Sequence, residues 1–116
     1  MPLYVPGLRK PIERANLHGV SVSADTNILG TDITPIYKPT LFRILCSFDT
    51  AGVFREVRTK AGVVQVSDFN GGSSLTANSL YIFDILIHEG DSMNLRYSIA
   101  ATLKVLRVQE IPVATT

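Results

Sequence analysis

The stretch Leu80-Tyr81-Ile82-Phe83-Asp84-Ile85-Leu86-Ile87-His88 decides the fold. In an extended chain successive side chains point to opposite sides, so Tyr81, Phe83, Ile85 and Ile87 share one face. Leu80, Ile82 and Leu86 share the other. Apolar residues on both sides predict a central strand between two covered faces. Glu89-Gly90-Asp91-Ser92 then turns the chain into Met93–Ile99, where Met93, Leu95, Tyr97 and Ile99 alternate with Asn94, Arg96 and Ser98. A further strand over Leu103–Ile111 is stopped by Pro112.

The same pattern extends upstream. Thr40–Phe48 puts Phe42, Ile44, Cys46 and Phe48 on one face. Val53–Thr59 and Val63–Asp68 flank Lys60-Ala61-Gly62, which reads as a three-residue hairpin loop with Gly in the left-handed position. Asn70-Gly71-Gly72-Ser73 is the strongest turn signal. Leu17–Ser23 is a short alternating run, and Asn27–Ile36, interrupted by Gly30 and Pro35, reads as an edge strand or a long crossing connection. No window longer than a turn has helical periodicity, and Val, Ile and Thr make up over a quarter of the chain. About eight strands with turns every 8–12 residues predict an all-β protein, an antiparallel β-sandwich. A jelly roll is the first expectation and an immunoglobulin-like sandwich the second. Pro2, Pro6 and Pro11, with Arg9, Lys10 and Arg14, mark residues 1–14 as an extended, mildly basic arm, leaving 15–116 as the sandwich domain.

The chain has 116 residues, enough for one domain. Charged residues make up 18%, below the ~25% usual for a soluble domain. So little charge leaves apolar surface uncovered and predicts self-association. A net charge of +1 argues against a dedicated nucleic-acid binder. One cysteine cannot form an internal disulfide, and no stretch approaches 18 apolar residues, so no membrane span is expected. The opening residues lack the apolar run of a signal peptide, which predicts synthesis in the cytoplasm.

Catalytic chemistry finds little support. His88-Glu89-Gly90-Asp91-Ser92 begins like a zinc-protease motif but has Ser92 where the second His belongs. The only other histidine, His18, lies 70 residues away, so no metal is expected. Cys46 sits on an apolar face, where a thiol behaves as a small hydrophobe. The Asn70–Ser74 loop lacks the Lys of a phosphate-binding loop, and there is no Gly-x-Ser-x-Gly elbow. Asp84 is the oddity, a carboxylate on a leucine-rich face, costly if buried alone. It reads as a salt bridge to a strand arginine, as a contact across a subunit interface, or as a catalytic acid. Arg43, Arg55, Arg58, Arg96 and Arg107 all lie within strands, suited either to bidentate interface contacts or to a solvated sheet face. The chain has no Trp for sugar stacking, and of Tyr4, Tyr37, Tyr81 and Tyr97 two are expected to face the core.

The block Ser79–Ser98, with its apolar strand, Gly90-Asp91-Ser92 turn and Asn94-x-x-x-Ser98 strand, is followed by Leu106-Arg107-Val108-Gln109-Glu110. In texture and order this third of the chain resembles the closing strands of small virion proteins of tailed phages. The resemblance implies a β-sandwich or jelly-roll structural subunit, often trimeric, with no catalytic residue and no cofactor. On this reading the chain is a capsid decoration (cement) protein of the virion. Its partners would be itself, as a homo-oligomer and expected trimer, and the major capsid protein or another virion protein, with no membrane or specific nucleic-acid partner. Such subunits often embrace a neighbour with an N-terminal arm, which nominates Leu3, Tyr4, Val5, Leu8, Arg9, Lys10 and Ile12 as partner-binding residues. The alternative is a tail or baseplate-associated module that binds a host glycan or acts as an adaptor. A jelly-roll enzyme is the third reading.

Overall fold

A computed structural model describes residues 10–37 and 40–113. Seven strands follow in order: β1 (Ile12–Val22), β2 (Thr40–Phe48), β3 (Phe54–Lys60), β4 (Val63–Asp68), β5 (Tyr81–Ile87), β6 (Ser92–Tyr97) and β7 (Ala101–Pro112). They form two antiparallel sheets, one ordered β1-β7-β2-β5 and the other β4-β3-β6. The two sheets pack face to face as an all-β sandwich. β1 starts at Ile12, so the last three residues of the segment read as an arm are strand.

The core is where the two inner faces meet. Phe42, Ile44, Cys46 and Phe48 of β2 and Leu103, Leu106 and Val108 of β7 are buried against Phe54, Met93, Leu95 and Tyr97 of the smaller sheet. Aromatic rings join the layers: Phe48 stacks on Tyr97 with centroids 3.7 Å apart, and Phe54 stacks on Phe69, which stacks on Phe83. Gly52 is needed here for its lack of a side chain, because a Cβ would lie 2.8 Å from the Tyr97 ring. The Tyr97 hydroxyl donates to the Thr50 carbonyl at 2.6 Å, satisfying the one polar atom the ring brings inside.

Asn27–Ile36 is the crossing connection, not a regular strand. It runs along the free edge of β6, with the N–H groups of Asp25, Ile28 and Ile33 donating to the carbonyls of Tyr97, Leu95 and Met93. The loop between β3 and β4 is shorter than the sequence suggested. Lys60 pairs with Val63, leaving Ala61 (φ 51°) and Gly62 (φ 80°) as a two-residue turn with both central residues left-handed. β5 also departs from expectation. It is an edge strand, and Leu80, Ile82 and Leu86 on its outer face are open to solvent.

One buried charge ties the large sheet together. Glu110 of β7 is 0% exposed and pairs with the Arg14 guanidinium of β1. Its other oxygen accepts from the N–H groups of Ile36 and Tyr37, at 2.5 and 2.6 Å, and from the Thr40 hydroxyl at 3.0 Å. Arg14 also donates to the Thr34 carbonyl and lies 6.0 Å over the Phe42 ring. Removing one member of a buried ion pair costs about 3–5 kcal/mol, because the remaining charge stays buried and unpaired. Glu110→Ala should lower stability by that amount in urea titration, and Arg14→Met by a similar amount. A loss under about 1 kcal/mol for both would show that the cluster is not structurally important.

Candidate functional site

The outer face of the four-stranded sheet is the most distinctive surface of the described residues. Directly paired residues of neighbouring strands point the same way, so the register sets out its rows. Leu86, Leu41 and Ile111 form one row across β5, β2 and β7. Asp84, Arg43, Gln109 and Glu13 form the next, and Ile82, Leu45, Arg107 and Asn16 the third. One apolar row, and one in which Ile82 and Leu45 lead into Arg107 and Asn16, thus flank an ionic one. Ile82 and Leu86 are each 58% exposed and Leu80, just before β5, is 60% exposed.

The charges on this face are held in pairs. Arg43 grips Asp84 with both prongs, Nε to Oδ1 at 2.8 Å and an Nη to Oδ2 at 2.9 Å. Arg107 grips Glu13 in the same way at 3.0 and 2.9 Å. The salt bridge within the sheet, one of the readings open for Asp84, is present. Two cations and two anions cancel, so the face is close to neutral as well as apolar. Strand pairing fixes the first fork, since Arg43 stands directly opposite Asp84, while Glu13, opposite Gln109, reaches Arg107 diagonally.

The other sequence candidates are scattered. His18, exposed on β1, and His88, exposed after β5, stand at opposite edges of the large sheet. No group of three or more His, Cys, Asp or Glu residues fit to hold a metal occurs among the described residues. Cys46 is fully buried, and burial pushes its thiol up to about 12, far from the thiolate a nucleophile needs. Tyr97 lies in the core, Tyr81 stacks on Phe83, and the Tyr37 hydroxyl donates to the Lys10 carbonyl at 2.6 Å. Arg55 bridges Asp25 and Asp68, and Arg58 pairs with the buried Glu56. Asn70–Gly72 forms a short 3-10 turn. Among the described residues no helix is long and apolar enough to cross a membrane.

Of the nominated arm residues, Leu3, Tyr4, Val5, Leu8 and Arg9 lie outside the described residues. Lys10 is exposed, and Ile12 is a half-buried residue of β1 paired with Glu110. Sequence reasoning missed the Glu110 cluster and the openness of β5. For Glu110 a signal existed: it continues the inward-facing alternation of Leu106 and Val108. Comparison with family models, with curated proteins and with solved structures finds no match.

The paired carboxylates make stability depend on acid. Hydrogen bonds from Arg43 and Arg107 hold Asp84 and Glu13 below the usual carboxylate range, and the backbone N–H of Thr102 does the same for Asp49. A carboxylate with a lowered folded pKa contributes stability that is complete above its unfolded pKa of about 4. That contribution is lost as pH falls through the lower folded value. The urea midpoint should therefore drop as pH falls below about 4, and the triple variant Asp84→Asn, Glu13→Gln, Asp49→Asn should drop less steeply. An identical pH profile for the variant would rule out these pairs as its source.

Proposed function

We propose that this chain is a structural subunit that acts by self-association within a larger assembly, and that the assembly is a virion whose shell it decorates. The observation that carries the first part is the neutral, apolar outer face of the large sheet. Large exposed apolar patches on soluble domains mark contact surfaces. Covering a leucine or isoleucine side chain is worth about 1.5–3 kcal/mol, so Leu80, Ile82 and Leu86 bring substantial gross energy to a contact. Part of that gain offsets the lost freedom of the partners, which is why such a contact works best when repeated by symmetry. The expected state is a homotrimer.

Topology supports the virion part. The strand orders 1-7-2-5 and 6-3-4 match the two sheets of a jelly roll that lacks one regular strand. The connection alongside β6 stands where that strand would run. Jelly rolls are the common building unit of viral shells, which agrees with the resemblance of the closing strands to tailed-phage virion proteins. The mechanism is mechanical: modest apolar and hydrogen-bonded contacts, multiplied over many copies, hold neighbouring shell subunits together.

Light scattering on a sizing column should give about three times the 12.7 kDa chain mass. The variant Ile82→Glu, Leu86→Glu should run at a lower mass with an unchanged circular dichroism spectrum. A wild type that stays monomeric at ~100 µM, or a double variant with unchanged mass, would overturn the proposed face. A truncation testing the arm must stop at residue 9, because Arg14 holds Glu110 and belongs to the domain.

A further inference from the structure

The smaller sheet ends in a strand that the fold leaves bare. All six residues of β4 are exposed on both faces, with Val63, Val64 and Val66 at 59, 61 and 59%. β4 pairs with β3 on one side and, among the described residues, with no strand on the other. Proteins protect such edges with lysine, proline, a bulge or a covering segment. β4 carries no lysine or proline, its pairing with β3 has no register shift, and its one ionised side chain, Asp68, is held by Arg55. Two other edges are managed: β1 is bulged between Glu13 and Ala15, and β6 is covered by the β1–β2 connection, while β5 is as open as β4 but carries Asp84, paired with Arg43, at its centre.

The geometry points to the occupant of this edge: β4 of a second copy of the chain, paired antiparallel about a twofold axis that passes at Gln65. The turn fixes which backbone groups are free. In a two-residue turn the N–H of the fourth residue returns to the first carbonyl, so Val63 bonds back to Lys60. Bonding direction alternates along the strand, so Val63, Gln65 and Ser67 face β3 while Val64, Val66 and Asp68 offer their N–H and C=O groups outward. A twofold at Gln65 sets Val64 of one copy opposite Val66 of the other, twice. Both members of each pair point their free groups at the partner, giving two hydrogen-bonded pairs around a non-hydrogen-bonded pair of Gln65 residues.

Side chains favour this register over the two ladder-preserving shifts, which would set Val64 opposite the Asp68 carboxylate or Val66 opposite Gly62. Val64 and Val66 lie on the face of Thr59 and Val57, so four valines meet across the axis. Asp68 falls opposite Gly62 of the partner's turn, and no like charges are brought opposite one another. A shift by one residue would place outward-bonding residues opposite inward-bonding ones and lose the ladder. The result is a continuous six-stranded sheet built from two three-stranded ones. A six-residue edge is only about 20 Å long, a small contact beside the ~800 Å² per partner of a stable pair. It forms where copies are concentrated, so its readout is a covalent trap. The pairing needs only a second copy and does not depend on the virion reading.

The test is Gln65→Cys in the full chain, oxidised with diamide and run on a non-reducing gel. Two Gln65 positions across a non-hydrogen-bonded pair have Cα atoms ~4.5 Å apart, within disulfide range. Val64→Cys and Val66→Cys each stand two residues out of step with their own copies, beyond the ~7 Å limit. Cys46 is buried and does not compete, and His18→Cys on β1 sets the collisional background. Gln65→Cys should give a two-chain band at least tenfold above that background, with the Val64 and Val66 variants near it. Adding Val66→Lys to Gln65→Cys should reduce the band at least tenfold. Gln65→Cys at background, or Val64→Cys trapping as well as Gln65→Cys, would overturn the pairing. Loss of the expected trimer with the trap intact would count against the outer face and leave the β4 contact standing.

Discussion

A carboxylate with no exposure at the end of a central strand constrains everything around it. Glu110 can be tolerated inside only if its charge is answered and its lone pairs are filled. The chain meets that demand from four places: Arg14 of β1, the N–H groups of Ile36 and Tyr37, and Thr40 at the start of β2. Those groups converge only if β7 lies between β1 and β2 in one register. A one-residue slip of β7 would turn Glu110 to solvent and Gln109 inward. The cluster therefore acts as a registration device as well as a contact. It also anchors the far end of the long β1–β2 connection, whose middle covers the β6 edge. The large sheet and the edge of the smaller one are thus coupled through a single side chain.

Much of this was legible in the sequence and some was not. The alternation of Phe42, Ile44, Cys46 and Phe48 and of Met93, Leu95 and Tyr97 located core strands, because period-two apolarity is a direct consequence of strand geometry. The second apolar face of β5 misled for a physical reason. Periodicity reports that a face is apolar, while only topology reports whether anything covers it. Leu80, Ile82 and Leu86 read as buried and proved exposed, since none of the described residues forms a layer outside the sheet that β5 ends. The salt bridge of Asp84 was among the readings open from the sequence, and Arg43 stands directly across from it. Glu110 was missed because its partners lie 70 to 96 residues away, where no local pattern connects them. The hairpin loop was placed correctly but read one residue too long, and that residue decides which backbone groups of β4 point outward.

The two open regions of the sandwich ask for different kinds of neighbour. The outer face of the large sheet offers area and neutrality. Its Arg–carboxylate forks spend their charge on each other, leaving Leu41 and Leu86 on one side and Leu45 and Ile82 on the other for another surface to cover without stranding an ion. The β4 edge offers direction in place of area. Its free N–H and C=O groups accept only a strand, only antiparallel in a fixed register, and only at close range. A face of the first kind suits many repeated contacts of moderate strength; an edge of the second kind selects a unique partner geometry.

These surfaces lie on opposite sheets, so occupying one does not block the other. The proposed cyclic arrangement through the outer face and twofold through β4 would combine into a closed or extended assembly in which each chain touches neighbours on both sides of its core. An isolated copy carries an unsatisfied edge and an exposed apolar face at once, both of them liabilities for a monomer in solution. A low-charge chain can carry both only if its working state covers them. Under the proposed self-association, the shortage of charged residues, the bare β4 strand and the uncovered β5 face would have one physical explanation: other copies would complete the surface of this fold.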